Sequence, residues 1–291
     1  DYAGPFHYSE MGLELAAHNV RAITIDDACG AYSTACSDAA GWGCFNSEGF
    51  LADRGVVLHN ILESWAALTD DTIQNTFLVS HSGGIFPVIG FAMGYPDKAK
   101  QLAGLIAMAP GFKLTPRKRF WLRPLILSRP QGTSKMLFFM GPNFLDKSGG
   151  TDPTAGDEQY NFFKAGAIPA SNAFNRFRYR ADSDSWWDKL FNQGAREILT
   201  MPVSIIHAPK NDTHVDSSAF CERLVPLVPE ANTIRLRTIL SDESVNSDEA
   251  LKSVSECVDR FELFPAEYGS IGHLMNASPK AFEVLLEEIE R

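Results

Sequence analysis

No run of about 18 uninterrupted apolar residues occurs in the chain, so nothing in it reads as a membrane-spanning helix. The first residues also lack the basic and apolar regions of a signal peptide. Basic residues are the minority: 26 Lys and Arg stand against 36 Asp and Glu, a formal net charge of -10. That deficit argues against a nucleic-acid partner, because neutralising phosphates takes clustered cations. The five cysteines show no C-x-x-C spacing, and the loop that holds Cys29, Cys36 and Cys44 contains no histidine, which disfavours a metal site. Disulfides (Cys36 with Cys44, or Cys221 with Cys257) and free buried thiols both remain open, and with them the compartment. There is no internal repeat and no low-complexity tract, and no residue pattern calls for a cofactor.

What is present is enough to bury one large core: 291 residues, 45% of them hydrophobic. Apolar runs of strand length alternate with longer segments of helical period, the signature of a mostly parallel sheet with helices on both faces. The expected order is a helix over Tyr8 to Asn19, a short strand over Arg21 to Ile25, a Gly-rich loop and a helix over Gly49 to Leu68. A buried strand follows at Thr76 to Val79, a helix at Ile85 to Gly94 and a strand at Leu102 to Met108. From Gly111 to about Leu199 the rhythm breaks down, and the stretch reads as a cap inserted over the sheet. Strand rhythm resumes at Val203 to His207, and a helix follows at Ser217 to Leu227. Asn232 to Phe261 reads as a polar excursion before a last strand near Phe261 to Phe264. Ser278 and Pro279 then suit the start of a final helix whose buried stripe is Phe282, Leu285, Leu286 and Ile289. The expected division is therefore 1–110 and 200–291 as the two parts of one body, with 111–199 as the cap.

The run Ser80-His81-Ser82-Gly83-Gly84 sits where a buried strand gives way to a helix. A nucleophile on such a sharp turn is pushed out beyond the strand's carboxyl end, and the crowded backbone demands small residues two before and two after it. Ser82 has them, with Ser80 standing where Gly is usual. Neither a Gly-Lys-Ser nor a G-x-G-x-x-G pattern is present there, so a phosphate loop is the weaker reading of the turn. The amide of Gly83, at a helix amino terminus, is the candidate oxyanion donor.

A serine hydroxyl is a weak nucleophile at neutral pH, so it needs a histidine base and a carboxylate to orient that base. For a serine on this kind of turn the partners follow in the order acid, then histidine. The loop after Val203 to His207 supplies Asp212, with Asp216 as competitor four residues on. Of the seven histidines, His273 alone lies on a glycine-bearing loop between the last strand and the last helix. His81 is read as structural because neighbours on a strand point to opposite faces. His7, His18, His59, His207 and His214 carry no assigned role.

With these residues placed, the chain resembles the α/β-hydrolase superfamily, and within it the monoacylglycerol lipase, lysophospholipase and serine aminopeptidase-like group. The resemblance spans nearly the whole chain. It rests on Ala3 to Phe6 before the first helix, Ile25-Asp26-Asp27, Ser80 to Gly84, Leu102 to Pro110, Asp212-Thr213-His214-Val215 and Gly272-His273. It implies an α/β-hydrolase fold with an inserted cap and a catalytic triad of Ser82, Asp212 and His273. Members of this group carry a His-Gly-x-Gly stretch, which supplies a second oxyanion amide, just before the segment matching Asp1 to Phe6. Its strand would lie between Arg21 to Ile25 and Thr76 to Val79. The expectation is that an amino-terminal segment, either a separate cleaved fragment or residues left out of the chain, completes the sheet and the oxyanion hole, since buried strand edges left unpaired cost about 1 to 3 kcal/mol per group.

The expected activity is hydrolysis of carboxylic esters with an apolar acyl group, through an acyl-enzyme. The cap's supply of apolar residues (Phe120, Trp121, Leu122, Leu125, Ile126, Leu127, then Leu137 to Met140 and Phe144) suits an acyl pocket or simple packing equally. An aminopeptidase or amidase would use the same triad but needs acidic cap residues, for which Asp152, Asp157, Glu158, Asp182 and Asp184 are available. A non-catalytic binding protein that retains the fold is the third reading. A small-molecule ester or lipid is the expected partner.

Overall fold

The computed structural model describes residues 9–25, 50–69, 71–116, 119–120, 182–184, 187–188, 197–209, 212, 214–240, 248–269, 273, 275 and 278–291. Among the described residues, the α-helices α1 (Ser9–Ala17) and α2 (Phe50–Thr69) come before the strands. Then come β1 (Phe77–His81), α3 (Ile85–Gly94), the short α4 (Pro96–Ala99) and β2 (Gly104–Met108). After the largely undescribed 111–199 stretch follow β3 (Val203–His207), an irregular helical run over 217–227, β4 (Ile234–Leu240) and α5 (Asp248–Lys252). The chain closes with β5 (Phe261–Leu263), β6 (Glu267–Tyr268) and α6 (Pro279–Ile289). The strand order is β1-β2-β3-β4-β5, with β6 also on β4, and every pairing in it is parallel.

Period-two alternation sends successive residues of each strand into different cores. Leu105, Ala107, Val203, Ile205 and Leu236 pack on one face with Leu58 of α2 and Phe86 and Ile89 of α3. Ile106, Met108, Ile206 and Ile239 pack on the other with Met11 and Leu15 of α1 and Ala281, Phe282 and Leu285 of α6. A sheet covered on both faces reads as continuous apolar runs, which is why β2 and β3 are legible in the sequence and buried along their whole length.

Helices α2 and α3 approach through glycine. A Cβ on Gly90 would lie 1.9 Å from the Leu51 carbonyl oxygen, and one on Gly55 would lie 2.3 Å from the Gly90 carbonyl oxygen. The end of α1 is a left-handed cap: Asn19 has φ 61°, its amide bonds to the Ala16 carbonyl and that of Val20 to the Leu15 carbonyl. Of the cysteine pairings left open by the sequence, the structure forms Cys221–Cys257, which joins the run after β3 to the turn before β5. Closing a loop of sequence separation 36 stabilises the fold by about 3 to 4 kcal/mol in the chain-entropy account. Cys29, Cys36 and Cys44 lie outside the described residues.

Three expectations are corrected. Residues 232–261 are not an excursion: they contain β4, which lies between β3 and β5. Its arginines made it look polar, but both are neutralised by carboxylates. Arg237 bonds to Glu288 at 3.0 Å, to Glu287 at 2.6 Å and to Glu267, and Arg235 lies 3.3 Å from Glu288. Burial alone would weaken Arg237 as a base, but the bonds to these three carboxylates outweigh it and raise the pKa. Glu288, 1% exposed, also accepts from Ser204 at 2.6 Å, so α6 is tied to β3 and β4 by charge as well as by apolar packing.

Second, Arg21 to Ile25 belongs to no strand and is exposed throughout. Arg21 instead pairs with Asp71 at 2.7 Å and lies over the Trp65 ring, so this segment is anchored to α2. The strand order ends at β1, and the interior strand expected between β1 and residues 21–25 is not among the described residues. Third, Ser278 occupies the extended position before α6, yet its side chain makes no cap bond. The expected helix over Ser217 to Leu227 is present as short turns of different pitch.

No described helix is long and apolar enough to cross a membrane. Most of 111–199, including the expected apolar lining from Trp121 to Phe144, lies outside the described residues. The described pieces attach to the body. Leu114 bridges Val215, the Leu114 amide donates to Asp182 at 2.6 Å, and Trp187 packs edge-on against Phe86 and Phe112.

Two stability outcomes follow from this packing. Gly90→Ala forces α2 and α3 apart and is expected to cost about 1 to 3 kcal/mol, read as a lower urea midpoint with unchanged slope. Glu288→Ala removes one of the three carboxylates around Arg237, the partner of Arg235 and the acceptor of Ser204, and is expected to cost about 1 to 3 kcal/mol in the same assay.

Candidate active site

Each candidate residue stands beyond the carboxyl end of a parallel strand, where an open α/β sheet gathers its functional groups. Ser82 follows β1 directly, Asp212 follows β3, and His273 follows β6. Ser82 has φ 53°, in the left-handed region that a side chain enters at a cost of roughly 1 to 2 kcal/mol. The strain is held in place by its neighbours: the strand ladder pins His81 opposite Met108, and the Gly111 amide donates to the Ser82 carbonyl at 2.9 Å. Ala109, just after β2, is a second left-handed residue with φ 43°. Two of the four left-handed non-glycine residues among those described thus stand at adjacent strand ends on this edge.

The hydroxyl oxygen of Ser82 lies 2.9 Å from His273 Nε2, and His273 Nδ1 lies 2.9 Å from Asp212 Oδ2. A carboxylate can only accept, so the Nδ1 nitrogen carries the proton in the neutral ring, leaving Nε2 to accept from the hydroxyl. His273 is buried, at 7% exposure, while Ser82 is half-buried. Gly83, buried at the start of the turn that leads into α3, places the amide next to the hydroxyl.

Asp212 and not Asp216 reaches His273. Asp216 instead caps the following turn, accepting from the Ser218 amide at 3.1 Å and its hydroxyl at 2.6 Å. The other oxygen of Asp212, Oδ1, accepts from the amides of His214 at 2.8 Å and Val215 at 3.0 Å. Burial works to raise this carboxyl's pKa, but the nearby imidazole and the two amides overcome it and hold the group below its ordinary value. The loop is braced in turn, since the Thr115 amide donates to the His214 carbonyl and the Asp216 amide to that of Lys113.

Two histidines not singled out for the site lie against His273. The ring of His214 stacks on it at 4.7 Å with 9° between planes, and the ring of His81 lies 5.2 Å away. Position in the sequence hinted at both, one beside the acid and one beside the serine, but only chain closure brings them to the same ring. Among the described residues no group of three His, Cys, Asp or Glu could hold a metal ion.

Of the acidic residues expected to serve an aminopeptidase, Asp182 and Asp184 are engaged in ion pairs. Asp182 lies 3.2 Å from Arg119 Nε, and Asp184 pairs with the fully buried Arg223 and lies 3.8 Å from Lys113. Asp152, Asp157 and Glu158 lie outside the described residues.

The layout, with a serine on a strained elbow after one parallel strand and its acid and histidine after later ones, is that of the α/β-hydrolase fold. No family model and no curated protein matches the chain. Among solved structures it is similar to a candidate non-heme bromoperoxidase, BpoC, from Mycobacterium tuberculosis H37Rv. The identity is 12%, the TM-score is 0.48, and the match covers 96% of this chain and 84% of that one.

The environment of Asp212 generates a stability outcome. A carboxyl held below its unfolded value of about 3.9 stabilises the fold above that pH, and the contribution is lost as pH falls through the folded value. The stability gap between the unaltered protein and Asp212→Asn is therefore expected to be largest near pH 7 and to shrink below about pH 4. Asp216→Asn, which keeps a capping side chain, is expected to show little gap at either pH. Urea titrations at pH 7 and pH 3 check both.

Proposed function

We propose that this chain is a serine carboxylic-ester hydrolase. The observation that carries the reading is the unbroken hydrogen-bond chain from the Ser82 hydroxyl through both nitrogens of His273 to Asp212. In the reaction, Ser82 Oγ attacks the ester carbonyl while His273 Nε2 takes the hydroxyl proton, and Asp212 stabilises the imidazolium that results. The tetrahedral oxyanion is held by the Gly83 amide at a helix amino terminus. His273 returns the proton to the departing alcohol oxygen, which leaves an acyl-enzyme on Ser82. Water, deprotonated by His273, then releases the acid.

Residues 1–110 and 200–291 form the catalytic body in this reading, and 111–199 form a cap that covers the acyl group. An apolar acyl chain is the proposed specificity, supported by the cap's aromatic and aliphatic composition. An aminopeptidase would need a free carboxylate for the substrate amine. The commitment of Asp182 and Asp184 to Arg119, Arg223 and Lys113 removes two of the five acids available for that role.

A fluorophosphonate probe is expected to label the protein at one site, and Ser82→Ala to abolish the labelling. A p-nitrophenyl ester panel across acyl lengths is expected to give turnover that falls on the order of 10⁶-fold in Ser82→Ala, with aminoacyl nitroanilides poor by comparison. Labelling with faster nitroanilide turnover would favour the amidase, and no labelling of the unaltered protein would favour a non-catalytic binding role.

A further inference from the structure

We propose that His81, between the two serines of the elbow, is a positioning residue for His273 and holds it through the main chain. The inference rests on the reading of Ser82 and His273 just given. His81 Nε2 lies 2.6 Å from the backbone carbonyl oxygen of His273. A carbonyl oxygen can only accept, so the ring nitrogen donates and the tautomer of His81 is set with its proton on Nε2. The residue before the nucleophile thus grips the residue that activates it, across 192 positions of sequence.

Three contacts locate the imidazole of His273: Ser82 at Nε2, Asp212 at Nδ1 and the stacked ring of His214 on its face. All three act on the side chain, and rotation about the side-chain bonds still depends on where the backbone stands. The bond from His81 fixes that backbone. Because His81 ends β1 and its backbone is laddered to Met108, the same rigid strand sets both the Ser82 hydroxyl and the His273 carbonyl. The distance between nucleophile and base is then a property of one strand end instead of two independent loops.

The choice of histidine has a chemical reason. The anchor must donate while staying neutral, because a cation 5.2 Å from His273 would oppose the positive charge that the base must accept. Burial, followed by the effect of His273, pushes His81 down to about 3, so it remains a neutral donor throughout the neutral pH range. Lysine would bring a charge, and asparagine is too short to span the same gap. Among the described residues, the titratable groups facing His273 are one carboxylate, Asp212, and two imidazoles, His81 and His214.

The test uses the whole chain, with active sites counted by fluorophosphonate titration so that only folded, competent protein enters the rates. His81→Phe keeps a ring and removes the donor. It is expected to lower kcat per titrated site by about 10- to 100-fold with KM changed less than about twofold, the loss typical of a base displaced by around an ångström. His81→Gln, a neutral donor of nearly the same reach, is expected to recover most of the rate. If His81→Phe does not fold, His81→Asn decides instead, as a donor too short to reach, with the same loss of kcat at a nearly constant KM expected. Unaltered kcat per titrated site in the folded donor-deficient variant, or no recovery of the rate in His81→Gln, would overturn the proposal while leaving the hydrolase reading intact. Failure of the unaltered protein to take the probe would instead remove the hydrolase reading on which the proposal stands.

Discussion

Three donors converge on the carboxylate of Asp212, and the arrangement of the whole site follows from their being satisfied together. One oxygen takes the His273 ring, and the other takes two consecutive amides of the loop that Asp212 itself begins. Buried carboxylates are tolerated only where such bonds replace lost water. The loop after β3 is therefore bound to fold around this side chain, and in doing so it presents the carboxylate to the imidazole. The bridge between Leu114 and Val215 and the bonds to Thr115 and Lys113 extend this order into the start of the 111–199 stretch.

The sheet supplies the rigidity that such a geometry requires. Because β1, β2 and β3 are parallel and in register, their carboxyl ends fall on one edge, and side chains distant in sequence become neighbours there. The strained residues at that edge, Ser82 and Ala109, are held by cores on both faces of the sheet. On the face covered by α2 and α3, glycine lets two helices approach backbone to backbone, so the helix that follows the elbow has little freedom to shift. The opposite face is closed by α6, whose buried Glu288 is locked to arginines of β4 and to Ser204 of β3.

How far the sequence could be read depended on whether an element's burial was visible in its own residues. The strand Val203 to His207 and the helix Ile85 to Gly94 are apolar enough to be recognised with their bounds. The strand β4 is not, because Arg235 and Arg237 read as surface residues until their carboxylate partners from β6 and α6 are in place. Conversely, Ile23 and Ile25 sit in an apolar stretch of strand length, and yet no described strand lies beside them to make a ladder. The choice between Asp212 and Asp216 illustrates the same limit at the site. Four residues apart in one loop, they differ in nothing local that decides which turns inward and which caps the next turn.

Local chemistry was sufficient for the parallel α/β class, the strand-to-helix turn around Ser82 and the short set of candidates for acid and base, because periodicity, small residues and titratable side chains are properties of neighbours in the chain. Tertiary structure alone decided which carboxylate meets His273, that His81 and His214 gather around the same ring, that Cys221 pairs with Cys257, and that two arginines lie within the sheet. Each of these depends on the approach of groups tens to hundreds of residues apart. Charge compensation, ring stacking and disulfide geometry come into being only when the folded backbone brings both partners within a few ångströms.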